Sequence, residues 1–113
     1  MKKMYVFIRT RFEAVHCWKD CPYNEVSFLR VPHRHEFHVE VRFPVYHDDR
    51  DVEFIMAKHR VNEYIRAAWD GKDLGTMSCE RMAIQLMERF KACAVTVSED
   101  GENGAIIVNE EIE

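Results

Sequence analysis

Two long stretches near the N-terminus alternate between apolar and polar residues. From Tyr5 to Trp18, one parity holds Val6, Ile8, Thr10, Phe12, Ala14 and His16; the other holds Tyr5, Phe7, Arg9, Arg11 and Glu13. From Val31 to Tyr46, a single parity collects His33, His35, Phe37, Val39, Val41, Phe43 and Val45. Successive side chains on a strand point to opposite faces, so each stretch predicts a strand with one apolar face. Lys19 to Pro32, between them, has no clear period. A structureless connection of that length is uncommon in a compact domain, which leaves two readings, a surface link or a loop over a site.

The period then changes. After the polar turn His47-Asp48-Asp49-Arg50-Asp51, the residues Phe54, Ala57, Val61, Tyr64 (or Ile65) and Ala68 recur at helical steps, predicting a helix over Val52 to Ala68. Asp51 is the expected N-cap, with Glu53 in the first turn, where the helix dipole favours acids. His59 lies off the stripe and reads as a solvated residue. Asp70 to Gly75 interrupts the pattern, and Ser78 is placed to cap a second helix reaching about Phe90, with Met82, Ala83, Leu86, Met87 and Phe90 inward. Ala92 to Glu99 predicts a third strand, Asp100 to Gly104 a hairpin connection, and Ala105 to Ile112 a fourth strand. This succession describes an α+β domain: a four-stranded antiparallel sheet with two helices on one face, spanning residues 1–113 as a single unit.

Composition narrows the classes of function. The 113 residues suit one domain, and 47% hydrophobic with 32% charged residues is ordinary for a soluble globular chain. A formal charge of −4 without any basic run argues against nucleic acid as the main partner. No apolar run approaches the roughly 18 residues of a membrane span, and the first residues lack the apolar region of a cleavable leader. A cytoplasmic protein is therefore expected, with Cys17, Cys21, Cys79 and Cys93 reduced. Cys17 and Cys21 are spaced as a C-x-x-x-C pair, but no second pair follows at the distance a structural zinc site requires.

The candidate chemistry sits on the strands. His33 and His35 share the apolar face of the second strand, and His16 shares that of the first. If the two strands pair antiparallel, three imidazoles converge near one end of the sheet. Three neutral nitrogens with an open fourth position are the ligand set of a catalytic Zn2+. An apolar face otherwise gives histidine little to bond with, which makes a metal the leading reading.

These residues also carry a resemblance. Phe12-Glu13-Ala14-Val15-His16 and His33-Arg34-His35-Glu36-Phe37-His38-Val39-Glu40-Val41 resemble the F-x-A-x-H and H-G-H-x-[YF]-x-V-x-V motifs of the 6-pyruvoyltetrahydropterin synthase and 6-carboxytetrahydropterin synthase family. Val52-Glu53-Phe54 with Lys58 is similar to its V-D-F-x-x-L-K, Ser78 to Ala83 to its T-S-E-x-[LM]-A, and Val95 to Glu99 to its V-x-V-x-E-T. The resemblance implies the fold of that family (the T-fold), with His16, His33 and His35 as zinc ligands and Glu99 anchoring a pterin ring. It implies a zinc-dependent lyase acting on 7,8-dihydroneopterin triphosphate or a related reduced pterin, in deazapurine (queuosine precursor) synthesis. It further implies a homo-oligomer in which sheets join into a barrel with sites between subunits.

The chain also departs from the family pattern. The family places a cysteine a few residues before its paired histidines; four before His33 this chain has Leu29. Cys21 and Glu25 keep a C-x-x-x-E spacing further upstream and are the candidate catalytic pair, with Asp73 as a further substitute. The family's Asp-His proton-transfer pair has no counterpart between Trp69 and Thr76, which contains no histidine. The glycine between the paired histidines is Arg34, expected on the opposite face. A second reading follows: a homologue that binds zinc and a pterin or purine without converting it.

Overall fold

In the computed structural model, residues 2–109 are described. Strand β1 (Met4–His16) is followed by a short 3-10 helix (Asn24–Arg30), β2 (His33–Val45), helix α1 (Phe54–Ala68), helix α2 (Cys79–Phe90), β3 (Ala94–Glu99) and β4 (Asn103–Val108). The strands lie in chain order in one antiparallel sheet. The α+β architecture expected from the pattern is thus present. Its boundaries differ from expectation in places: β1 begins one residue early and ends two early, β2 is shorter at both ends, α1 and β3 each begin two residues late, and the Lys19–Pro32 connection contains the 3-10 helix. The fourth strand begins two residues early, and residues 110–112 of the expected strand lie outside the described residues.

The apolar parities of the strands and the stripes of the helices meet in one core. Phe37, Val41, Val61, Met82, Leu86, Val95 and Val97 are its largest fully buried side chains. Phe12 stacks on Phe37 with ring centroids 5.3 Å apart, across the β1–β2 ladder where the two are direct partners. Full burial of such a ring stabilises the fold by about 1.5–3 kcal/mol. On α1, Ala57, Val61 and Ile65 are buried; Ile65 takes the inward position and Tyr64 packs at the margin. Phe54, expected on the buried stripe, is the first residue of α1 and is exposed.

The caps divide between agreement and correction. Ser78 Oγ accepts from Arg81 N at 3.1 Å, so the second helix starts as expected. The cap of α1 is Glu53, not Asp51: its carboxylate accepts from Ile55 N and Met56 N, both at 3.1 Å. Asp51 instead accepts from Tyr46 N at 2.8 Å and closes the turn after β2. Either residue supplies the acceptor a helix start needs, and the backbone path decided which one reached it.

Two connections set the end of the sheet that carries the histidines. The 71–75 segment runs beside the end of β1, with Val15 N bonded to Lys72 O, Leu74 N to Val15 O and Cys17 N to Gly75 O. The β3–β4 turn places Asp100 (φ 57°) and Gly101 (φ 74°) in successive left-handed conformations, the geometry that matches a hairpin's twist. Gly104, at the start of β4, lies so close to β3 that a Cβ would fall 2.1 Å from Val97 O.

Candidate metal centre

The β1–β2 register makes His16 and His33 direct cross-strand partners, and Ala14 the partner of His35. Partners across a ladder project to the same face, so the three imidazoles rise together, with the small Ala14 leaving room between them. Their ring centroids are 4.7 Å (His16–His33), 5.0 Å (His33–His35) and 5.6 Å (His16–His35) apart. Phe37 forms the floor, 5.1 Å from the His16 ring and 5.9 Å from that of His35. In the β2–β3 ladder Phe37 is opposite Glu99, which brings the Glu99 carboxylate onto the same face. One ligand atom from each of His16, His33, His35 and Glu99 lies within 4.8 Å of all the others, a grouping able to hold a metal ion.

The proton positions on the rings follow from what surrounds them. His16 Nδ1 is 2.8 Å from Met77 O, and His33 Nδ1 is 2.9 Å from Val31 O. A carbonyl oxygen only accepts, so each Nδ1 carries the proton and donates. His35 Nδ1 is 2.7 Å from Asp100 Oδ2, and the same assignment follows from the carboxylate. In neutral imidazole each Nε2 is then left with a lone pair, and these are the atoms that converge. Outer partners of this kind orient metal-ligating histidines and raise their basicity.

Two of these nitrogens, His16 Nε2 and His33 Nε2, are buried and have no hydrogen-bond partner among the described residues. Glu99 Oε2 stands 2.8 Å from His16 Nε2, but off the direction a hydrogen bond requires. A buried polar nitrogen without a partner costs about 1–3 kcal/mol, and two side by side are rare in a native fold. The donor set fits a divalent cation of intermediate softness, whose binding would satisfy both orphaned nitrogens at once.

Asp100 was read in the sequence only as a turn residue, and its partnership with His35 was missed. Its Oδ2 accepts from His35, its Oδ1 accepts from Glu36 N at 3.1 Å, and its own N–H donates to Glu36 O at 2.7 Å. The hydrogen bond from His35, then that from the Glu36 amide, hold the Asp100 carboxyl below its usual range. The available signal was an Asp-Gly turn directly after Glu99, but which histidine it would meet depends on the β2–β3 register.

A cavity of about 730 Å³ opens beside the cluster, lined in part by His16, His33, Glu99, Cys79, Trp18 and Ile106. That size suits a small organic ligand. Burial, and then the charges of Glu99 and Glu80, push the Cys79 thiol up to about 12. It therefore stays protonated at neutral pH and offers no thiolate nucleophile.

The structure does not bring Cys21 and Glu25 to this centre. Cys21 is buried, with Sγ 3.7 Å from Tyr23 O and 3.8 Å from Val26 O, and it is not among the residues lining the cavity. Arg30 Nε donates to Cys21 O at 2.8 Å, which closes the segment on itself. Glu25, in the first turn of the 3-10 helix, is exposed. Asp73 is also exposed and accepts from Gly75 N at 2.8 Å, so its carboxylate serves a turn. Arg34 projects to the far face of the sheet, where it meets Glu13 at 3.4 Å.

Comparison with known proteins defines the fold class. No family model and no curated protein matches the sequence. Among solved structures, the chain is similar to 6-pyruvoyl tetrahydropterin synthase from Caenorhabditis elegans, with a TM-score of 0.76 at 15% identity over 96% of each chain. It is equally similar to an uncharacterized protein from Wolinella succinogenes, with a TM-score of 0.75 at 12% identity, over 97% of this chain and all of that one. The fold is that of the pterin synthases. At these identities the likeness concerns the fold alone.

Proposed function

We propose that this chain is a zinc-dependent enzyme of the 6-pyruvoyl- or 6-carboxytetrahydropterin synthase type. Its substrate class is 7,8-dihydroneopterin triphosphate or a related reduced pterin, and its setting is a cytoplasmic route to deazapurines. The observation that carries the reading is the convergence of three Nε2 lone pairs, two of them buried and unpartnered, beside a cavity of ligand size. His16, His33 and His35 would hold the ion, and Met77 O, Val31 O and Asp100 keep their rings in the ligating tautomer. Zn2+ suits three imidazoles. When bound, it supplies electrophilic polarisation of a substrate oxygen. Glu99, which lines the cavity, offers an acceptor for the ring N–H and exocyclic amine of a pterin.

Oligomerisation belongs to the same reading. Among the described residues, strands β1 and β4 are the outer strands of the sheet, β1 being covered only near its His16 end by the 71–75 segment, and edge residues such as Met4, Ile106 and Val108 are exposed. Joining edges between subunits would cover them and enclose the cavity from the β4 side.

A second reading has its own support: the Cys21 thiol meets Tyr23 O and Val26 O and does not line the cavity, and the segment after α1 lacks a histidine. Proton transfer commonly contributes about 10²–10⁴-fold. Without those groups, the protein would bind zinc and a pterin or purine without converting it. Incubating the zinc-loaded protein with dihydroneopterin triphosphate separates the two. Product formation supports the synthase. Pterin binding that is lost in Glu99→Gln, with no product, supports the binding protein. The absence of both metal and pterin binding would overturn the proposal.

A further inference from the structure

We infer that Glu99 is the fourth ligand of the resting metal site and closes the position at which a substrate oxygen would bind. This inference rests on the metal-centre reading above and concerns how that centre is opened. Its first support is geometric. Glu99 Oε2 lies 2.8 Å from His16 Nε2 and Oε1 lies 3.6 Å from His35 Nε2, so the carboxylate leans over the convergence point. Among the described residues, His16 and His35 are its only ion-pair partners within 4 Å.

The second support is the sign of the groups that face one another. Met77 O, Val31 O and Asp100 accept hydrogen bonds from the Nδ1–H groups, which leaves Nε2 lone pairs directed at the Glu99 carboxylate. Lone pairs opposed at 2.8 Å repel unless a proton or a cation lies between them. A proton on His16 Nε2 would form a directed hydrogen bond to Glu99, and the contact does not have that geometry; His33 Nε2, also buried, has no hydrogen-bond partner among the described residues, although the Glu99 carboxylate lies within 4.8 Å of the cluster. A cation shared by three nitrogens and one oxygen satisfies all four atoms.

A four-coordinate set of this kind is complete, as structural zinc sites are, whereas a catalytic site keeps one position open. The same carboxylate lines the cavity and is 27% exposed, so it has somewhere to go. A ligand with two adjacent N–H donors, such as the amidine-like edge of a pterin or purine, would draw Glu99 off the metal. Recognition of the ring and opening of the metal then become one event.

The test uses full-length protein loaded with Co2+, whose visible spectrum reports its ligands, and imidazole as a neutral probe of the open position. Neutrality matters because loss of the Glu99 charge alone would favour an anionic probe. Wild type should resist imidazole, whereas Glu99→Ala and the isosteric Glu99→Gln should bind it at least about 10-fold more tightly, with a shift in the cobalt bands. Circular dichroism checks that both variants are folded. Equal imidazole affinity in wild type and Glu99→Ala would overturn the capping role and leave the metal centre standing. Wild type that takes up no Co2+ would overturn both.

Discussion

The histidine cluster and the 17–32 segment both carry candidate chemistry, and the fold treats them in opposite ways. The cluster stands on consecutive same-face positions of a paired ladder, where the register leaves each side chain one direction to point. The segment has no ladder; it satisfies its backbone and its thiol internally, through Cys21 Sγ to Tyr23 O and Val26 O, Arg30 to Cys21 O, and Trp18 N to Leu29 O. Chemistry placed on a ladder is therefore held by many residues at once. Chemistry placed on the segment depends on local bonds, which have already claimed the Cys21 thiol.

Removing the ladder's ligands should have the largest effect. His33→Ala combined with His35→Ala should abolish stoichiometric zinc, measured by metal analysis of the purified protein; full retention of zinc would overturn the centre. Asp100→Ala should weaken zinc about 10–100-fold in a chelator competition, the usual cost of losing an outer carboxylate. Asp100→Asn keeps an acceptor for His35 and tolerates the left-handed backbone, so it should restore most of that loss.

Substitutions in the segment should behave differently. Cys21→Ser should leave zinc affinity unchanged and lower stability by roughly 1 kcal/mol in urea unfolding, because a buried thiol is replaced by a more polar group. Glu25→Gln should change neither. A loss of zinc from either variant would mean that the segment reaches the metal after all.

The smallest effect concerns the outer face of the same strands. Burial alone would raise the Glu40 carboxyl, but hydrogen bonds from Arg9 and Arg42, both at 3.0 Å, outweigh it and hold the group below the usual carboxylate range. A carboxyl lowered in the folded state adds stability that is present above its unfolded value and is lost as pH falls through its lowered value. Glu40→Gln should therefore flatten the acid limb of the stability curve and cost less than about 1 kcal/mol at neutral pH, since both arginines are largely exposed. A steeper acid limb in the variant would reverse the assignment.

The alternation of Val6 to His16 and of His33 to Val45 by itself determined the two long strands, their buried faces and the side on which His16, His33 and His35 stand. Periods of two and of three to four residues are local consequences of backbone geometry, so the four strands and helices α1 and α2 were legible without a structure, whereas the aperiodic stretch that forms the 3-10 helix was not. The cap of α1 was not, because Asp51 and Glu53 are chemically equivalent acceptors and only the path of the chain after β2 separates them. Nor was the inward turn of Cys21, since nothing in its spacing to Glu25 says which carbonyls the thiol will meet. Tertiary structure alone decided that Glu99 leans onto the histidines and that Asp100 holds His35. Both depend on the register of β3 against β2, which sets Glu99 opposite Phe37 and Asp100 against His35 from distant parts of the chain.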